Sequence, residues 1–129
     1  MSKAAAMRVM VVDDQKTMRE LARYSLEQLG ITNVLEAPDG SGAMDQMEGG
    51  VDLVISDYNM PNMDGMEFLK AVRAHPNYRK TPFILVTGRG DKELVVKAAQ
   101  AGVNNYIVKP FTVNVLKEKI EQVMGKLEQ

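Results

Sequence analysis

Val51-Asp52-Leu53-Val54-Ile55-Ser56-Asp57 decides how the chain folds. Apolar residues run through it with few interruptions, and it ends in an aspartate. Such a run reads as a strand covered on both faces, as in a parallel sheet. Upstream, Arg8-Val9-Met10-Val11-Val12 is a second run of this kind, followed by Asp13-Asp14. Downstream, Pro82-Phe83-Ile84-Leu85-Val86 ends at Thr87, and a shorter stretch, 105–108, ends at Lys109. In an open α/β sheet, ligands bind beyond the carboxyl ends of the strands. Asp13, Asp14, Asp57, Thr87 and Lys109 are therefore expected to meet at one sheet edge.

Between these runs the apolar period changes. Met18, Leu21, Ala22, Leu26 and Leu29 recur at helical spacing, and Gly30 is placed to end that helix in the left-handed conformation. A short strand follows at about 33–37. Asp39 reads as the N-cap of a helix burying Ala43, Met44 and Met47. Asp64 reads as the cap of one burying Met66, Leu69 and Val72, with Pro76 as its stop. Asp91 then caps an alanine-rich helix ended by Gly102, and Thr112 caps a last helix carrying Leu116, Ile120, Val123, Met124 and Leu127. Strands alternating with helices imply right-handed βαβ units. The predicted fold class is α/β, a single flavodoxin-like doubly wound (βα)5 domain with five parallel strands in the order 2-1-3-4-5. That order sets strands one and three side by side at the switch point, where the three carboxylates converge.

Composition narrows the function classes. The 129 residues suffice for one domain with a real core, and the balance of 45% hydrophobic and 26% charged residues is ordinary for a globular protein. A formal net charge of −1 gives no bulk attraction to nucleic acid or to an anionic membrane. The absence of cysteine excludes disulfide scaffolds, zinc ribbons and thiol catalysis. The opening residues lack the apolar core of a signal peptide, and no run reaches membrane-span length. The expectation is a cytoplasmic monomer with no attached output domain: a flexible N-terminal segment at 1–6, then the domain over 7–129.

The chemistry follows from the strand ends. Carboxylates crowded at ~4 Å repel by about 4 kcal/mol per pair at an effective dielectric near 20. A hard cation relieves this, and oxygen-only ligands point to Mg²⁺ or Ca²⁺. Thr87 adds a hydroxyl and Lys109 an ammonium. The set suits phosphoryl transfer to a carboxylate nucleophile, with a cation and a lysine offsetting charge on the transferred oxygens. There is no P-loop. The single histidine, His75, reads as a solvated residue of a helix end. An Asp-Asp pair after a strand also suits a helix cap, but not with three further polar groups at other strand ends. Met60, Met63 and Met66 read chiefly as gap-filling residues, and Gly65 and Gly88 as backbone devices.

Val11-Val12-Asp13-Asp14, Asp57-Tyr58-Asn59-Met60-Pro61-Asn62-Met63-Asp64-Gly65, Thr87-Gly88 and Lys109-Pro110-Phe111 together resemble the receiver domain of two-component response regulators, from about Met7 to Leu127. The form with Asn59 and Tyr106 is most similar to the single-domain chemotaxis members. The resemblance implies that Asp57 accepts a phosphoryl group from a histidine kinase. Mg²⁺ would be held by Asp14, Asp57 and the Asn59 carbonyl, and by Asp13 through water. Thr87 and Lys109 would contact the phosphoryl oxygens, Tyr106 would turn inward as Thr87 moves, and Lys109-Pro110 would be cis. An output surface of Val95, Ala99, Tyr106, Val108, Phe111, Lys119 and Gln122, on the fourth predicted helix, strand five and the last helix, would meet a flagellar motor switch protein. Val95 and Ala99 also suit a helix core, and Tyr106 a plain sheet-edge aromatic. Arg89 stands where the enteric chemotaxis member has an acid, so it is a tuning candidate and bears on which phosphatase acts, if any. Tyr58 replaces a tryptophan of that member.

Other functions remain open at this stage. A phosphate sink or a phosphorelay intermediate fits the same residues. Outside the family, a flavodoxin-like FMN binder would want hydroxyls and backbone N–H groups after strand one rather than two carboxylates. A haloacid-dehalogenase-type phosphatase would carry an acid where Asn59 stands.

Overall fold

The computed structural model describes residues 3–88 and 92–127. Its sheet has five parallel strands: β1 (Arg8–Val12), β2 (Asn33–Ala37), β3 (Leu53–Asp57), β4 (Phe83–Thr87) and β5 (Asn105–Val108). Their order is β2-β1-β3-β4-β5, the flavodoxin-like order expected above. The helices are α1 (Lys3–Ala6), α2 (Lys16–Gln28), α3 (Gly40–Gln46), α4 (Gly65–Ala74), α5 (Lys92–Gln100) and α6 (Val113–Met124), with a 3₁₀ turn at Met47–Gly49.

Alternation along the strands builds two cores. Val9, Val11, Leu53, Ile55, Ile84, Val86 and Ile107 face one layer, where they meet Ala22 and Leu26 of α2 and Leu116 and Ile120 of α6. Met10, Val12, Val54, Phe83 and Leu85 face the other, against Ala43, Phe68, Leu69, Val72 and Ala98. This is why the central runs read as unbroken: β1, β3 and β4 are apolar on both sides. Phe68 and Phe83 are fully buried, their ring centroids 5.3 Å apart and tilted by 58°.

Local chemistry sets the helix ends. Asp39 accepts from the Gly42 N–H and Thr112 from the Val115 N–H. Asp64 forms a reciprocal box with Glu67. Gly30 (φ 85°) follows the end of α2 in the left-handed region. The cap expected at Asp91 lies outside the described residues.

Three details differ from the sequence reading. Where a flexible segment is expected at 1–6, Lys3–Ala6 forms a helical turn, and Ala4 is buried in the core. Leu21, expected on the buried face of α2, is 55% exposed, because the inward stripe runs through Ala22, Leu26 and Leu29. Leu127 is buried but lies past α6, which ends at Gly125 with φ 86°.

Candidate functional site

The carboxyl ends of four strands converge as the topology requires. Asp13 and Asp14 follow β1, Asp57 closes β3, Thr87 closes β4, and Lys109 follows β5. Register fixes their levels: Val12 pairs with Ser56, Asp57 with Val86, and Thr87 with Val108. One carboxylate oxygen each of Asp13, Asp14 and Asp57 lies within 4.8 Å of the others. Asp13 and Asp57 are buried and Asp14 is exposed, so the cluster has an inner floor and an open mouth.

Lys109 closes one side. Its Nζ stands 3.0 Å from Asp57 Oδ1 and 3.3 Å from Asp13 Oδ2. Its backbone N–H donates to the Thr87 carbonyl at 2.7 Å, which ties the ends of β4 and β5 together. The Lys109-Pro110 peptide is cis. Burial pushes the Asp57 carboxyl above its ordinary value. The Lys109 hydrogen bond and charge oppose this, while the Asp13 charge adds to it. Burial alone would lower Lys109, but hydrogen bonds and charges from Asp57 and Asp13 outweigh it and raise the ammonium. Three carboxylates against one ammonium leave an excess of two negative charges in this group. A small divalent cation with oxygen preference fits that excess and that donor set.

Backbone requirements explain the loop after Asp57. A Cβ on Gly65 would stand 2.3 Å from the Asp57 carbonyl oxygen and 2.9 Å from Tyr58 Cα. Only glycine lets α4 begin that close to the acidic residue, and the Gly65 N–H donates to the Tyr58 carbonyl at 2.8 Å. Asn62 takes φ 66°, and its side-chain amide donates to Asp39 at 3.1 Å. A Cβ on Gly88, by contrast, would meet nothing within 4 Å. Asn59 lies exposed in this loop, two residues past Asp57.

The residues expected at an output surface divide. Tyr106 is half-buried on β5, with Lys119 Nζ 4.8 Å from its ring centroid. Val95 and Tyr106 line a shallow groove with Lys92 and Val96, and Val96, absent from the sequence reading, is 55% exposed. Ala99 is exposed and Val95 half-buried, and the core position of α5 falls to Ala98. Val108 is exposed on β5, and Gln122 accepts from the Asn105 amide. Phe111 lies elsewhere, packed on the α2–α6 core beside Met18 and Lys109. Arg89 falls outside the described residues. His75 accepts from the Asn77 N–H and stacks on Tyr78, away from the cluster.

Sequence reasoning passed over Arg19 and Glu36. Arg19 donates to the Asp13 carbonyl at 2.7 Å and reaches Glu36 at 3.3 Å. The available signal was an arginine one turn into the helix after Asp13-Asp14, with an acid on the neighbouring edge strand.

Residues 9–121 match the family described as response regulator receiver domain. The chain is 49% identical over 129 residues to a probable chemotaxis protein CheY of Rhizobium etli, covering 99% of this chain and 100% of that one. It is 43% identical over 122 residues to the chemotaxis protein CheY of Pseudomonas aeruginosa, covering 94% and 98%. Among solved structures it resembles the chemotaxis response regulator CheY4 of Vibrio cholerae, with a TM-score of 0.84 and 32% identity over 92% of this chain and 98% of that one.

Proposed function

This chain belongs to the response regulator receiver family, and we propose that Asp57 accepts a phosphoryl group from a histidine kinase to switch a chemotaxis output. The observation that carries this reading is a buried Asp57 whose carboxylate shares a site with Asp13, Asp14 and the Lys109 ammonium. Asp14, Asp57 and the Asn59 carbonyl would hold Mg²⁺, with Asp13 reached through water. When bound, the cation would offset charge on the transferred oxygens.

In the transfer, the P–N bond of the donor's phosphohistidine breaks as a P–O bond forms to Asp57. Asp57 needs no general base, since it attacks as a carboxylate. Lys109, already 3.0 Å from an Asp57 oxygen, is placed to follow the new charge onto the phosphoryl group. Thr87, buried at the end of the adjacent strand, would supply a hydroxyl there. Phosphorylation takes the local charge from one negative to about two. Thr87 is continuous through β4 with the Val108 pairing, and Tyr106 sits two residues upstream on β5. That connection is our route from the phosphoryl group to the α5–β5–α6 face.

The partner we propose is a flagellar motor switch protein in the cytoplasm, supported by the chemotaxis names of the relatives. An amphipathic helix suits a face bearing Val96, Tyr106, Val108 and Lys119. Arg89 is proposed to tune phosphate loss, with or without a phosphatase. Family membership and the carboxylate cluster favour this reading over an FMN site or a dehalogenase-type phosphatase. Among the described residues, no helix is long and apolar enough to cross a membrane.

The test is a titration with the N-terminal peptide of a flagellar switch protein, using Mg²⁺-loaded protein with and without beryllofluoride. Tighter binding with beryllofluoride is expected. Equal binding in protein that has taken up beryllofluoride would remove the motor reading and leave a phosphate sink or a relay.

A further inference from the structure

We propose that Arg19 is a positioning residue for the cation site, holding the turn that carries Asp13 and Asp14 by its backbone. This rests on the reading that the acidic cluster binds Mg²⁺. Arg19 lies in the first turn of α2, and its side chain is 16% exposed. One guanidinium nitrogen donates to the Asp13 carbonyl at 2.7 Å, while Nε reaches Glu36 on β2 at 3.3 Å. Glu36 is itself fixed: its other oxygen takes Arg23 at 2.7 Å, and its carbonyl accepts from Gln46 at 2.8 Å. The guanidinium is thus gripped at its far side and presents a rigid fork to the turn.

The turn needs such a grip. Its two carboxylates face a third, and their repulsion pushes the turn away from β3 whenever no cation is bound. Helix α2 offers little help, since its N-cap residue, Gln15, makes no side-chain cap. What holds the segment is a set of bonds to Asp13. Its N–H donates to the Ala37 carbonyl at 3.1 Å, its carbonyl accepts from Arg19, and its Oδ1 accepts from the Gln15 N–H at 2.9 Å. Lys109 adds an ion pair to Asp13 Oδ2 at 3.3 Å, but it shares its ammonium with Asp57. Arg19 is the charged group that holds the turn by its backbone, and its bond spans from helix to strand end. Groups that orient metal ligands commonly change affinity by about 10–100-fold when removed.

Arg23 supplies the control. It pairs with the same glutamate, but its remaining bond goes to the Val34 carbonyl, away from Asp13. Arg19→Met and Arg23→Met each break an ion pair with Glu36, yet only the first releases the turn. Mg²⁺ affinity is measured by calorimetry on the full chain, wild type and both variants, well below their melting temperatures. Arg19→Met is expected to bind Mg²⁺ about tenfold more weakly, with Arg23→Met, which keeps the Arg19–Asp13 bond and the Arg19–Glu36 pair, losing clearly less. In the metal-free proteins, hydrogen exchange at the Gln15 amide should speed up in Arg19→Met alone. Wild-type affinity in Arg19→Met, or an equal loss in Arg23→Met, would overturn the proposal. If Arg19→Met does not fold, Arg19→Lys serves, since one ammonium cannot hold both oxygens and the same loss is expected. Failure of the wild type to bind Mg²⁺ would instead remove the cation reading on which this rests.

Discussion

The two ends of the sheet treat charge in opposite ways. At the carboxyl end, among the described residues, three carboxylates face one ammonium, which pairs with two of them and leaves the group two negative charges in excess. At the amino end, the Arg73 guanidinium of α4 is surrounded by neutral oxygens. It donates to the carbonyls of Gly102, Arg79 and Thr81 and to the Asn104 side chain, at 2.7–3.1 Å. Burial there lowers the arginine from its ordinary value, but every bond is made within the protein and none awaits a ligand. One end is saturated and serves as a staple across α4, α5 and the starts of β4 and β5. The other is left with excess negative charge, which costs stability and suits the cation and phosphoryl group we propose for it.

The comparison breaks most sharply at Asp57. Asp57→Asn should abolish phosphoryl labelling by a histidine-kinase donor. Acid-labile phosphate persisting on that variant would refute the assignment. At the saturated end, Arg73→Met should cost about 2 kcal/mol, since several charge-assisted bonds go while their exposed or half-buried acceptors can turn to water. Urea unfolding would read this, and Mg²⁺ affinity should not change; a loss of affinity would mean that the two ends are not independent.

A smaller effect sharpens the contrast through pH. At tenfold excess over its dissociation constant, Mg²⁺ should stabilise the protein by about 1.4 kcal/mol. Because the folded-state Asp57 carboxyl titrates above 3.8, protons compete for the site earlier than at an ordinary aspartate, and this gain should fade as pH falls toward that raised value. In metal-free protein the sign reverses for Asp57. The folded state binds that proton more readily than the unfolded state, so stability is lost as pH rises through the raised value. For Lys109, raised above 10.5 by its partners, the contribution is full below 10.5 and is lost as pH rises through the folded-state value. Melting curves against pH, with and without Mg²⁺, would show whether the two conditions converge in acid, as expected.

Much of this was legible because the sheet is covered on both faces. Strands such as Leu53–Asp57 must then be apolar throughout, and the polar residue that ends each run marks the ligand edge. Asp39, Asp64 and Thr112 were readable as caps because each side chain serves its own helix three residues on. The unread features depend on tertiary context. Arg19 and Arg73 look like ordinary surface arginines in sequence, since carbonyls supplied by distant turns leave no pattern. The inward packing of Ala4 and the outward placement of Leu21 depend on which neighbour covers each position. Phe111 could be placed on a loop by its neighbours, but only packing shows it turned toward α2 and α6 rather than joining Tyr106.

Lys109 and Asp13 meet across 96 positions of chain. Strand β5, which delivers the lysine, is bound to the rest of the sheet through β4 alone. During synthesis, the aspartates therefore emerge well before their counter-charge. A nascent or partly unfolded chain carries Asp57 without the lysine that faces it in the folded site. If Asp57 is the acceptor we propose, competence to be phosphorylated is a property of the finished sheet, and the modification would double as a certificate that folding has reached its last strand.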